Sequence, residues 1–242
     1  MNINERSIFK KTVILLAVLN LAAFFIYHLT TYTVGGTVAA FIFYYFHEAV
    51  EFCLPLIAAL SLYATYLKRG NGAALLRALP YSLTFLLFLF PYNAFTYAYE
   101  GIEIGGVMLF ASLSALFSTV VIYIETVVLF LLISLVSARL SIKRGRGDGI
   151  GALDIAGPFD LDSPINCGIL SAAGAMFIYK LVYEVIDTVN YLIDYSGTYL
   201  IGEIIYMVFR YIFLLILALG AHALLVLIKN KAQRCKESAE EF

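Results

Sequence analysis

The sequence predicts an all-α integral membrane protein, a polytopic bundle of six transmembrane helices with both termini in the cytoplasm. Three observations lead there. The chain has an apolar excess too great for a surface facing water. Six apolar runs are each long enough to cross a bilayer. The basic residues gather on one side of those runs.

Of the 242 residues, 62% are hydrophobic and 14% charged, and the mean hydropathy is +0.89. Soluble domains hold roughly 45–50% apolar and about 25% charged residues. A bilayer makes so apolar an exterior favourable, provided every backbone group is satisfied inside a helix or closed barrel. The net charge of −1 carries no basic excess for nucleic acid. Cys53, Cys167 and Cys235 fall in a span, at the cytoplasmic start of a span and in the tail. None faces the outside, so no disulfide framework follows.

A spanning helix needs about 20 mostly apolar residues. The first run, 12–29, follows Arg6, Lys10 and Lys11 and has the look of a signal peptide. The next run begins at once and the later topology needs the segment kept, so it is read as a first span. The others are 37–67, 78–97, 107–140, 165–195 and 200–228, with Gly35-Gly36, Gly70-Asn71-Gly72, Gly105-Gly106 and Gly197 between runs. The second and fourth are too long for a hydrocarbon core of about 30 Å and are expected to tilt, kink or run out into the cytoplasm. In the third, Pro91 cannot donate to the carbonyl of Leu87, which predicts a kink there. Pro55 acts likewise on Glu51 in the second.

Fourteen of the 16 Lys and Arg residues precede the first span, separate spans two and three, or follow spans four and six. The other connections contain neither type. The positive-inside rule makes the basic side cytoplasmic and gives a multi-pass protein of the plasma (cytoplasmic) membrane. The outer connections carry Glu100, Glu103 and Asp194, with tyrosines such as Tyr92, Tyr97 and Tyr99 as the interfacial belt in a chain without Trp. The 141–164 connection is a Gly-rich, charged cytoplasmic loop, and 229–242 is a short cytoplasmic tail.

Ionisable residues at bilayer depth are costly and mark functional sites. Span two carries His47, Glu48 and Glu51, and span four carries Glu125. Span five carries Lys180, Glu184 and Asp187, and span six carries Glu203, Arg210 and His222. Counting inward at 1.5 Å per residue puts His47, Glu48, Glu51, Glu184, Asp187 and Arg210 in one layer near the midplane. Lys180, Glu184, Asp187, Tyr191 and Asp194 share one helix face. His222 falls on a different face from Glu203 and Arg210 and is placed outside the cluster.

In that layer acids outnumber bases, so the surplus must be protonated, wetted or matched by a cation. This points to a small transporter or transporter-like subunit. Its midplane site would take a proton, cation or cationic solute. Glu48, Glu51, Glu184, Asp187 and His47 would bind, with Arg210 and Lys180 balancing charge. Acidic pairs on spans two and five resemble the plan of six-span cation transporters, although here the pairs are three apart rather than four. The alternative is a non-catalytic membrane subunit or scaffold whose charges only hold helices together. A more remote alternative is an intramembrane metal-dependent hydrolase. His47-Glu48-x-x-Glu51 approaches the zinc-protease pattern, but Glu replaces the second His. No cofactor motif appears, and Ser112, Ser114 and Ser118 read as packing residues. Gly168, Ala172 and Ala175, and Gly220 with Ala221, form small-residue faces. Such faces suit close packing within the chain or a homo- or hetero-oligomer in the lipid bilayer.

Overall fold

A computed structural model describes residues 3–33, 52–63, 71–143, 162–192, 201–216, 218–220 and 222–223. All regular structure among them is helical: α1 Ile3–Thr33, α2 Phe52–Tyr63, α3 Asn71–Leu83, α4 Leu86–Tyr99, α5 Ile104–Lys143, α6 Pro164–Leu192 and α7 Ile201–Gly220. Four of these contain stretches long and apolar enough to cross a bilayer: Phe9–Ile26, Ile104–Lys143, Pro164–Asn190 and Ile201–Gly220. The bent pair formed by α3 and α4 makes a fifth if it is one span. The chain divides into two compact units, Met1–Leu131 and Leu132–Phe242.

In the first unit α1 packs against α3 and α4. Leu16, Asn20 and Ala23 form its buried stripe, and Ile14, Val18 and Phe25 face outward. A helix apolar on both faces suits lipid on one side and protein on the other. Asn20 is tolerated in the buried stripe because its Nδ2 donates to the Leu16 carbonyl at 2.9 Å. α2 is buried almost all round, with Leu54, Pro55, Ala58, Ala59 and Leu62 below 2% exposure. It is the described part of the expected 37–67 span.

The third expected span, 78–97, is two helices bent by 43° at Thr84-Phe85, not one helix kinked at Pro91. The cause is local. Thr84 Oγ1 donates to the Tyr81 carbonyl at 2.6 Å, and the Thr84 amide turns to the same oxygen at 3.1 Å. Phe85 N–H reaches Ser82 O and Leu87 N–H reaches Thr84 O, again three residues back. These short-range bonds replace the i→i−4 ladder for one turn. The ladder resumes when Leu89 N–H donates to Phe85 O, and Pro91 then rides inside α4.

α4 ends in a Schellman motif: Ile102 N–H donates to Tyr97 O, and Gly101 N–H to Ala98 O. Gly101 supplies the left-handed residue, with φ 80°. The reversal is tight and leads straight into α5, a single helix of 40 residues. At 1.5 Å per residue it is about 60 Å long, twice the hydrocarbon thickness. One stripe of α5 is buried: Val107, Ala111, Ala115, Thr119 and Ile122 in the first unit, then Ile133, Ser137 and Ser141 in the second. The opposite face, with Leu109, Leu113, Leu116, Phe117 and Val120, is apolar and exposed, as lipid contact requires.

In the second unit, α6 meets the C-terminal part of α5 at Gly168. A Cβ there would lie 2.6 Å from Ser137 Oγ and 2.9 Å from the Ile133 carbonyl oxygen. The buried arc of α6 is centred on Ile169, Ala172 and Met176, with Gly168 at its edge; Ala175 falls just outside and is exposed, as is Gly220 of α7. Ala221 lies outside the described residues. Met207, Tyr211, Leu214 and Ala218 form the buried stripe of α7 at helical spacing.

Candidate functional site

Of the expected site residues, His47, Glu48 and Glu51 lie outside the described residues. The others stand on α6 and α7, which run antiparallel. Near one end of the pair, Thr188 Oγ1 donates to Met207 Sδ at 3.4 Å. Near the other, His222 Nε2 lies 2.7 Å from Asn166 Oδ1. Between these two ties, Arg210 comes level with Glu184. The depth count from sequence had placed them in one layer.

Lys180, Glu184 and Arg210 are half-buried and Asp187 is exposed. Lys180 Nζ stands 5.8 Å from the Tyr179 ring centroid, and Arg210 Cζ stands 5.7 Å from that of Tyr211. Tyr211 is 4% exposed, so the guanidinium lies on a fixed aromatic face. Among the described residues, no ion pair or hydrogen bond joins Glu184 or Asp187 to either cation. The face of α6 that is buried from Asn166 to Met176 is exposed further along, at Tyr179, Tyr183, Asp187 and Asn190. Asp187 therefore lies exposed on the continuation of that packed face.

Glu125 and Thr126, at the middle of α5, are 8% and 0% exposed. Glu203 is half-buried near the start of α7. Among the described residues, no three His, Cys, Asp or Glu side chains are grouped to hold a metal ion. Ser112 Oγ donates to the Met108 carbonyl at 2.7 Å, the habit of a helix-packing serine.

Sequence reasoning kept His222 out of the acidic cluster without finding its partner. Asn166 is fully buried, and the Ser137 hydroxyl donates to the Pro164 carbonyl beside it at 3.1 Å. A polar node thus pins α5, α6 and α7 near the start of α6. Its one signal in sequence was an Asn two residues after a proline that opens an apolar run. A second node joins three helices of the first unit through Thr12, Ser61 and Tyr81. Comparison with known protein families, curated proteins and solved structures yields no match.

Proposed function

We propose that the chain is a six-span transporter, or transporter-like subunit, of the plasma membrane with both termini cytoplasmic. The four long helices, the bent α3–α4 pair and the 37–67 segment that contains α2 make the six spans. The one-sided basic residues give their orientation. Glu48, Glu51, Glu184 and Asp187, with His47, form a site for a proton, cation or cationic solute, and Arg210 and Lys180 set its charge.

The observation that carries this reading is Asp187. It lies within the membrane-crossing stretch Pro164–Asn190, on the continuation of the packed face of α6, exposed and without an ion pair among the described residues. A carboxylate that only glued helices together would be expected to meet its cation. An accessible one can receive a proton or cation from outside the bundle.

The test is thermal melting of the purified chain in detergent, across pH and with inorganic and organic cations. A ligand that binds only the folded state raises the melting point by linkage. Glu48→Gln, Glu51→Gln and Asp187→Asn keep shape and remove the titratable charge, so each should abolish that response in a chain that still folds. Wild-type melting indifferent to pH and to every cation would instead favour the scaffold, whose charges have only a structural role.

A further inference from the structure

The stretch of α1 that is long and apolar enough to cross a bilayer opens at Phe9. Three cations stand at that level. Lys10 and Lys11 follow Phe9 directly, both exposed and without an ion pair among the described residues. Arg77 comes from α3 and lays its guanidinium over the Phe9 ring, 5.2 Å from the centroid. Phe9 is itself set edge-on against the fully buried Tyr81 at 5.3 Å. An aromatic seat thus holds the α3 cation beside the first turn of the crossing stretch.

Helical spacing distinguishes the two lysines. Phe9 touches α3, and Phe24 meets Phe95 of α4 at 6.1 Å. At about 100° per residue, Phe24 falls roughly 60° round α1 from Phe9, and Lys10 roughly 100° in the same sense. Lys10 therefore overlooks the α1 flank next to α3 and α4. Lys11 falls about 200° round, above the exposed Leu15 and Val18 on the side away from them. Below Lys10 the flank continues through Ile14 and Leu21, 62% and 39% exposed.

Two cations from different helices above an exposed apolar flank match an amphiphile with an anionic head. Arg and Lys donors suit the several oxygens of a phosphate. A free phosphate would leave the flank unused. A zwitterionic headgroup would bring its own ammonium against the same two cations, so a net negative headgroup fits. We propose that the α1–α3 edge of the first unit binds one anionic phospholipid. Its phosphate lies between Lys10 and Arg77, and an acyl chain runs along Ile14 and Leu21. The site stands whether or not the acidic residues of α6 transport anything.

The experiment melts the full chain in dodecyl maltoside at fixed pH and salt, titrated with phosphatidylglycerol, phosphatidylcholine or inorganic phosphate. Phosphatidylglycerol at ten times its half-saturating concentration should raise the melting point by about 3–6 °C. The other two should leave it unchanged. Lys10→Gln and Arg77→Gln should each raise the half-saturating concentration roughly fivefold, and Lys11→Gln by less than about twofold. If Arg77→Gln does not fold, the comparison of Lys10→Gln with Lys11→Gln decides. Equal effects of those two overturn the site, because the lipid would then sense only the general charge of the first turn. So does a folded Arg77→Gln chain that responds as the wild type does. A wild-type chain that melts alike with phosphatidylglycerol and phosphatidylcholine, or responds equally to inorganic phosphate, overturns it as well.

Discussion

The hydroxyls of Tyr81 and Ser61 lie 2.7 Å apart, a contact in which either could by itself be the donor. Ser61 has one proton and gives it to Thr12 Oγ1 at 3.1 Å, so it can only accept from the phenol. The chain of hydroxyls runs one way, from α3 through α2 to α1. Phe9 stands edge-on to the Tyr81 ring at 5.3 Å, and the Arg77 guanidinium caps Phe9 at 5.2 Å.

This directionality makes the three hydroxyls unequal. Tyr81→Phe leaves Ser61 still donating and should cost about 0.6–1.5 kcal/mol. Ser61→Ala removes both contacts and should cost more. Melting temperatures of the two variants in the same detergent give the ranking, and a larger loss for Tyr81→Phe would reverse the assigned direction.

Gly168→Ala should destabilise by about 1–3 kcal/mol, because the new methyl meets the backbone oxygen of Ile133 at 2.9 Å and backbone cannot step aside cheaply. Gly174→Ala, six residues along the same helix, meets nothing within 4 Å and should be neutral or stabilising by up to about 1 kcal/mol through helix propensity. The pair serves as its own control in a chemical or thermal denaturation series.

Asn166 and His222 should show coupling in a double-mutant cycle. Asn166→Leu and His222→Phe each leave one polar partner facing an apolar side chain. The double variant should therefore lose less than the two single losses together, by about 0.5–1.5 kcal/mol. Strict additivity would mean that the 2.7 Å contact carries no energy.

Gly101→Ala should cost about 1 kcal/mol although its Cβ meets nothing within 4 Å, since the penalty lies in the φ of 80° and not in space. Gly101→Asn should recover part of that loss, because Asn tolerates the left-handed region better. Equal melting of all three chains would argue against the left-handed turn.

The helical membrane class was legible because a bilayer leaves the backbone so few choices. Runs such as 107–140 had to be helix, and α5 exceeds that run by only a few residues at each end. The register of spans five and six was legible too: counting residues puts Arg210 level with Glu184, as the two α6–α7 ties also do. Side-chain rotamers were not. Pro91 announced a kink from its missing N–H, but the bend formed where the Thr84 hydroxyl and amide both chose Tyr81 O. Nothing in the residue type favours that carbonyl over the one a further residue back. Likewise Gly168, Ala172 and Ala175 share a face by period alone, while the orientation of α6 against Ile133 and Ser137 decides that the face is off-centre and Ala175 exposed. For His47, Glu48 and Glu51 the sequence remains the whole argument, since they lie outside the described residues.

The seam between the two units falls at Leu131 and Leu132, inside α5 and not in a loop. This sets an order on biosynthesis. The ribosome finishes the first wall of the second unit, with Ile133 and Ser137 on it, as the last turns of a helix that begins in the first unit. That wall then waits through the whole 141–164 connection until Gly168 has been made. A nascent chain halted in that connection would carry into the bilayer a complete helix with the seat for Gly168 unfilled. Two fragments split there and expressed together should reassemble by rejoining across that seat. The most informative place to divide this protein for co-expression is therefore the 141–164 connection, with Gly168→Ala as the variant that blocks reassembly.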